Sequence, residues 1–139
     1  MLETEVDRAN IEKMVRSFYQ MLIKDDIVGP FFIQALGDDL KNDKWQEHYK
    51  LLDDFWLMLM TGEKGYKRDP FLPHVSIGKL YEETFERWLT LFDTHVHQHY
   101  IPKIAKKFNK KAEILAKKFM QGLEIGVNPD DKNWASYKL

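Results

Sequence analysis

The sequence of 139 residues contains no cysteine. This absence excludes disulfide bonds, zinc sites built from thiolates and a cysteine nucleophile. Any chemistry with a soft metal ion must therefore depend on the five histidines.

The sequence also lacks an apolar run long enough to span a bilayer, and its first seven residues lack the basic and apolar regions of a secretory signal. Basic and acidic residues nearly balance, at 21 and 22, so the formal net charge is −1. A chain with this charge has no general attraction to nucleic acid or to anionic membranes. We therefore expect a soluble, cytoplasmic protein with neither as a partner.

What the sequence does contain is enough apolar material for one folded core, since 44% of its residues are hydrophobic and 14% are aromatic. This composition excludes disorder of the whole chain, and the length fits a single domain. We assign that domain to residues 1–126. The segment 127–139 is polar and is typical of a C-terminal tail.

Apolar residues recur with the period of an α-helix in several segments, and no segment alternates as a strand does. Gly29 and Pro30 end the first helix, and a short second helix is predicted from Phe31 to Leu36. Glycines and prolines between Thr61 and Pro73 predict a loop. The chain is therefore predicted to be all-α. Its longer apolar helix faces extend from Ile11 to Leu22, from Trp45 to Leu59, from Tyr81 to His99 and from Phe108 to Leu123.

Three side chains with polar tips interrupt or border those apolar faces, namely Tyr19, His48 and Trp88. If all three lie in one buried space, each tip needs a partner, because an unpaired buried group costs about 1–3 kcal/mol. A small polar ligand between them would supply that partner. For His48 alone, a core histidine that is hydrogen-bonded to a neighbour is the more common arrangement.

His74 follows Pro73 at the end of the predicted loop and precedes the apolar residues Val75 and Ile77. The proline restricts the backbone at this point, so the imidazole would be held in one place. Taken alone, this signal is weak.

Six short segments occur in a characteristic order: Ser17-Phe18-Tyr19, Gly29-Pro30-Phe31-Phe32, Trp45-Gln46-Glu47-His48, Phe55-Trp56, Pro73-His74 and Arg87-Trp88-Leu89-Thr90-Leu91-Phe92. Tyr19 and Phe32 are 13 residues apart, and His48 and His74 are 26 apart. In order and spacing, the chain resembles a group III truncated haemoglobin from about residue 7 to about residue 126. The absence of any glycine pair also fits group III.

The resemblance implies a truncated globin fold, a 2-on-2 helical sandwich around a b-type haem. It makes His74 the iron ligand and Phe32 the residue that stacks on the haem. On the other side it makes Tyr19 and Trp88 hydrogen-bond donors to a bound gas and places His48 at the pocket entrance. It assigns the pocket wall to Leu52, Phe55, Trp56 and Ile77.

By this resemblance the protein binds O₂, and also NO and CO, in oxygen transport or in detoxification. Two alternatives stay open. The first is a haem enzyme, a nitric-oxide dioxygenase or a peroxidase-like protein, which would need an external reductase because the chain has no flavin or nicotinamide fingerprint. The second is a haem-free helical interaction module, in which the histidines have no chemical role.

Two further patterns have simpler explanations. His95 and His99 share a helix face and could bind a divalent metal, but no cysteine or acidic ligand is suitably placed, so we favour an ordinary helix face. The segment from residue 103 to residue 118 contains seven lysines and one glutamate. These lysines could contact nucleic acid or an acidic redox partner, although a solvated surface is the more common reason for such a segment.

Overall fold

The structure is a computed structural model that describes residues 1–62 and 82–122. This part of the chain is all-helical, as predicted, with five helices and no strand. His74, Ile77 and the predicted tail at residues 127–139 lie outside the described residues. The helices are α1 (Arg8–Leu22), α2 (Gly29–Leu36), α3 (Asp43–Thr61), α4 (Glu82–His99) and α5 (Pro102–Gly122).

Helix α1 begins at a capping box and buries the face predicted for it. The Asp7 carboxylate accepts a hydrogen bond from Asn10 N at 2.8 Å, and the Asn10 side chain accepts one from Asp7 N at 3.1 Å. These bonds satisfy amide groups at the helix start. The predicted apolar face is confirmed, since each of its members is at most 2% exposed: Ile11, Met14, Val15, Phe18 and Leu22.

The corner between α1 and α2 is built around Asp25 and Gly29. The Asp25 carboxylate accepts hydrogen bonds from Ile27 N at 3.1 Å and from Val28 N at 3.0 Å, and Gly29 N donates to Asp25 O at 2.9 Å. Helix α2 begins at Gly29, two residues earlier than predicted. The reason is that Pro30 fits the first helical turn, where a missing N–H costs no hydrogen bond.

Gly29 lies so close to the preceding backbone that a side chain does not fit. A Cβ atom at this position would lie 2.4 Å from Ile23 O and 2.8 Å from the Ile23 carbonyl carbon. We expect Gly29→Ala to lower the free energy of unfolding by about 2 kcal/mol or more, because the hydrogen-bonded corner must shift. Urea unfolding followed by circular dichroism measures the loss.

The matched control for this substitution is Gly62→Ala. A Cβ atom on Gly62 meets no atom of the described residues within 4 Å, and the φ of Gly62 is +77°. The control should therefore lose only about 1 kcal/mol, the cost of a left-handed backbone for alanine. Equal losses in the two variants would show that the corner has room for a side chain.

Helix α3 is attached to the end of α2 by Asn42 and Trp45. The Asn42 side-chain oxygen accepts a hydrogen bond from Trp45 N at 2.8 Å, so Asn42 caps the helix. The Asn42 amide donates to Leu36 O, and Trp45 Nε1 donates to Gly37 O, both at 2.7 Å. Helix α3 therefore starts in a fixed position relative to α2.

Asp53 departs from the sequence pattern, which places it on the polar face of α3. It is 2% exposed, and both carboxylate oxygens accept hydrogen bonds from Arg16 Nη1 at 3.1 Å. Burial raises the pKa of Asp53 to about 6, although Arg16 opposes the shift. The Arg16 guanidinium also lies 4.9 Å from the centroid of the Tyr49 ring. This ion pair between a buried carboxylate and a half-exposed guanidinium joins α1 to α3.

Helix α1 packs against both α3 and α4, and α4 packs along α5. A bridge joins Glu3 to the turn between α4 and α5, where Glu3 N donates to His99 O at 2.9 Å and Ile101 N donates to Glu3 O at 3.1 Å. None of the helices in the described residues is both long and apolar enough to cross a membrane. The contacts of α1 place its residues Phe18 and Tyr19 where side chains from other helices meet.

Candidate functional site

Tyr19, Phe32 and His48 come together from α1, α2 and α3. The centroid of the Tyr19 ring lies 5.4 Å from that of Phe32 and 5.6 Å from that of His48, and the Phe32 and His48 centroids are 6.2 Å apart. Trp45 borders this cluster, 5.8 Å from Tyr19. All four side chains are buried. His48, which the resemblance places at a pocket entrance, is here enclosed by aromatic rings.

Trp88 reaches the same cluster from α4 and brings its indole N–H close to the Tyr19 hydroxyl. Burial raises the pKa of Tyr19, and the nearby Trp88 N–H partly offsets the shift. Trp88 also contacts Phe18 edge-on, with centroids 5.4 Å apart. Its Nε1 atom is buried and has no well-formed hydrogen bond within the part of the chain that the structure describes. An unpaired buried donor costs about 1–3 kcal/mol, so an additional acceptor would be favourable here.

An ion pair between Asp25 and Arg87 holds α4 against the corner that precedes α2. Arg87 Nη2 and Nε donate to Asp25 Oδ1 at 2.7 and 3.0 Å. The Arg87 guanidinium lowers the pKa of Asp25, although burial acts in the opposite direction. The pair fixes the residue that precedes Trp88 against the corner that precedes α2, the helix of Phe32. Sequence analysis missed it because the partners are 62 positions apart and neither lies on an apolar face.

Four aromatic rings, here called the aromatic stack, lead from Trp88 towards α5. Trp88 and Phe92 are nearly parallel with centroids 4.8 Å apart, and Phe92 and Trp56 are nearly parallel at 5.1 Å. Phe108 of α5 lies 5.6 Å from Trp56 and 6.3 Å from Phe92. Trp56, predicted as a pocket wall, is therefore in contact with the predicted gas-binding residue Trp88 through Phe92.

Two comparisons, one of sequences and one of structures, relate this chain to known proteins. The group 3 truncated hemoglobin ctb of Campylobacter jejuni is 28% identical over 118 residues, which cover 85% of this chain and 91% of that protein. The crystal structure of a group III truncated hemoglobin from Campylobacter jejuni superimposes with a TM-score of 0.79 at 28% identity, covering 88% of this chain and 95% of that chain. No protein-family model matches the sequence.

The fold is that of a truncated globin. The likeness to group III truncated haemoglobins that the six sequence segments indicate is thereby confirmed.

The residues of this chain, which has the truncated globin fold, fit a haem. A haem pocket combines apolar walls with a few polar groups that face the bound gas. Phe32 and Phe55 are buried and Leu52 is half-buried, so α2 and α3 offer apolar walls. The N–H of Trp88, which has no well-formed partner among the described residues, and the hydroxyl of Tyr19 offer polar groups beside them.

The described ranges contain no cluster of metal ligands, and a globin haem needs only one histidine. No group of three His, Cys, Asp or Glu side chains there could hold a metal ion. Both His74, the predicted ligand, and the predicted wall residue Ile77 lie in the segment between α3 and α4 that is outside the described residues. Their roles stay predictions.

His95 and His99 share one face of α4, as predicted, with ring centroids 4.7 Å apart. His97 points elsewhere and lies 3.4 Å from the Asp93 carboxylate. His95 is 5% exposed and packs 5.5 Å from Phe18 of α1. Burial, together with the neighbouring His99, lowers the pKa of His95 to about 4. The face therefore belongs to the contact between α1 and α4, and His95 is neutral at neutral pH.

The lowered pKa of His95 makes the free energy of unfolding of this chain depend on pH. In the unfolded chain an imidazole has a pKa near 6.5, so between pH 6.5 and about 4 the unfolded state binds a proton that the folded state does not. Stability is therefore full above pH 6.5 and falls as the pH drops towards 4. We expect His95→Gln, which keeps a side-chain N–H and does not titrate, to remove an acid-induced loss of roughly 2–3 kcal/mol.

Urea unfolding of the variant and the wild type between about pH 7 and about pH 4.5 measures this difference. His97→Gln is the matched control, because His97 pairs with Asp93 at the surface. An unchanged pH dependence in His95→Gln, or an equal change in the control, would show that His95 does not cause the acid sensitivity.

Proposed function

We propose that this chain is a haem-binding globin that takes up O₂, and also NO and CO, as gas ligands. The observation that carries the proposal is the buried Trp88 N–H, which lies beside the Tyr19 hydroxyl and has no well-formed partner within residues 1–62 and 82–122. Two donors that converge in apolar surroundings suit a small ligand with partial negative charge. Bound O₂ has that character, and bound CO has much less of it.

In this proposal the haem is b-type and has contacts on both sides. His74 binds the iron, and Phe32 stacks on the ring. When bound, the haem supplies reversible binding of a diatomic gas and a one-electron change between ferrous and ferric iron. The wall residues are Leu52, Phe55, Trp56 and Ile77.

Tyr19 and Trp88 act on the gas ligand. Burial raises the pKa of Tyr19, so its hydroxyl stays protonated and remains a donor at any physiological pH. His48 contacts the Tyr19 ring edge-on, at an interplanar angle of 88°, and holds it in position. Because the cluster is buried, water does not compete for the two donors, and each hydrogen bond to the ligand is stronger than in solvent.

The presence of two donors also favours a second function, nitric-oxide dioxygenation. One NO, one O₂ and one electron give one nitrate ion, so a catalyst must retain O₂ until NO arrives. Two hydrogen bonds slow O₂ release, which makes delivery by release inefficient and favours reaction over transport. The electron comes from an external reductase. A peroxidase-like reaction would use the same side chains.

Two measurements on the haem-loaded protein separate these functions. Stopped-flow mixing gives the rate of O₂ release, and nitrate analysis after mixing the O₂-loaded protein with NO gives the yield of reaction. Slow O₂ release with rapid nitrate formation, sustained when a reductase is added, supports the enzyme. Fast O₂ release without sustained turnover supports storage or transport. A protein that takes up no haem contradicts the proposal and leaves the haem-free interaction module.

A further inference from the structure

One face of α5 carries seven lysines and one exposed isoleucine. Six of the lysines are exposed and one is half-buried, and the isoleucine is 50% exposed. At 3.6 residues per turn, the eight positions span about 140° of the helix circumference and about 22 Å of its length, with the isoleucine near the middle of the arc. This surface, here called the lysine face, consists of Lys103, Lys106, Lys107, Lys110, Lys111, Ile114, Lys117 and Lys118.

No ion pair among residues 1–62 and 82–122 neutralises the charge of the lysine face. In the described part of the chain the ion pairs are those of Arg8, Arg16, Arg87 and His97, and none involves these lysines. Glu113 is the one acidic residue between positions 103 and 118, and it lies at the border of the arc. The segment therefore carries a charge of +6 in a chain whose net charge is −1. Such a separation of charge steers acidic partners to one face.

The residue types on the lysine face favour an acidic protein as the partner. The face contains no arginine and no aromatic residue, the side chains with which proteins bind bases and single strands. It presents one apolar side chain, whereas a helix that lies on a bilayer presents a broad apolar face. An exposed apolar residue within a charged rim is the anatomy of a protein–protein interface. Ile114 is that residue here.

The opposite face of α5 is connected to the candidate site. Phe108 is fully buried and contacts Trp56 and Phe92, and Phe92 stacks on Trp88. A partner on the lysine face is therefore separated from the aromatic stack by about one helix diameter, roughly 10 Å.

We infer that the lysine face is the docking surface for the external electron donor and that this donor is an acidic redox protein. With a haem bound to this chain, the reduced partner would give up one electron and be oxidised by one electron, and the ferric iron would be reduced to ferrous iron; no covalent bond would form or break. The redox part of this inference rests on the proposed function. The docking part of the inference depends only on the charge and shape of α5.

The experiment titrates the haem-loaded protein with oxidised flavodoxin, an acidic flavoprotein, in an isothermal calorimeter at low and high salt. We expect binding that weakens as salt screens the charges. The double variant Lys110→Glu/Lys117→Glu should raise Kd by about tenfold or more, because it replaces attraction by repulsion. Ile114→Ser should also weaken binding but should leave the salt dependence unchanged. Reduced flavodoxin should reduce the double variant correspondingly more slowly in stopped-flow mixing.

The control is Lys41→Glu/Lys44→Glu, which makes the same change in net charge at two exposed lysines outside α5. No binding by the wild type, or an equal loss in the control, overturns the inference. Tighter binding of a DNA duplex or of phosphatidylserine vesicles, abolished by the same α5 reversal, overturns the choice of a protein partner. If reduced flavodoxin reduces the haem of Lys110→Glu/Lys117→Glu as fast as that of the wild type, the redox role of the lysine face is overturned. Failure of the proposed function is seen separately, as missing haem absorbance in every variant.

Discussion

Replacing His74 with alanine is expected to leave a protein that retains little haem after purification. The resemblance gives His74 the role of iron ligand, and globins hold their iron through one proximal histidine. Removing it deletes the bond between iron and protein, so we expect most of the Soret absorbance per protein to be lost. Added imidazole, which can occupy the space of the missing side chain, should restore haem binding. The ratio of Soret to protein absorbance, with and without imidazole, measures both effects.

Two other histidines provide controls for that experiment. His48 contacts Tyr19 in the cluster proposed to face the gas, and His97 pairs with Asp93 at the surface. We expect His48→Ala and His97→Ala to keep their haem. If His74→Ala has a normal ferrous spectrum while His48→Ala loses haem, the two sides of the pocket are reversed.

Removing either donor of the cluster is expected to accelerate the release of O₂. Loss of one hydrogen bond to a charged ligand costs about 1.5–3 kcal/mol, which corresponds to a roughly ten- to hundredfold faster dissociation. Tyr19→Phe keeps the ring that packs on Phe32 and His48, and Trp88→Phe keeps an aromatic ring against Phe92. Release of CO should change much less, because bound CO carries less negative charge. Stopped-flow displacement of each gas measures these rates.

The comparison of the two gases is the internal control for these variants. Equal acceleration of O₂ and CO release would indicate easier steric access and would contradict the role of Tyr19 and Trp88 as donors. The stability of the Trp88→Phe variant is a second readout, because the Trp88 N–H of the wild type has no well-formed partner among the described residues. Its removal should not lower the stability of the gas-free protein beyond the loss of ring contacts. The double variant need not show the sum of the single effects, since both donors act on one ligand.

The helices and the main site cluster could be predicted from the sequence because both follow the helical period. The apolar face of α1 from Ile11 to Leu22 is buried as the spacing predicts. Tyr19, His48 and Trp88 stand out as polar interruptions of such faces, and the structure brings Tyr19 into contact with His48 and close to the Trp88 N–H. Periodicity identifies these residues because a buried face tolerates polar tips only where they have a use.

Other features depend on partners that no local pattern contains. Asp53 has the spacing of an exposed residue but is buried because Arg16 of α1 pairs with it. The pair between Asp25 and Arg87 links segments that are far apart in sequence. The tight corner before α2 depends on how closely Gly29 approaches the backbone of Ile23. Each of these is a tertiary contact, and local propensity carries no information on it.

The absorption spectrum of the purified chain, titrated with haemin and then reduced and exposed to CO, tests most directly whether it is a haem-binding globin. We expect a Soret band that saturates at one haem per chain and shifts on reduction and again on addition of CO. A Soret absorbance that does not saturate as haemin is added, together with separation of haemin from the protein on gel filtration, would contradict haem binding by this chain.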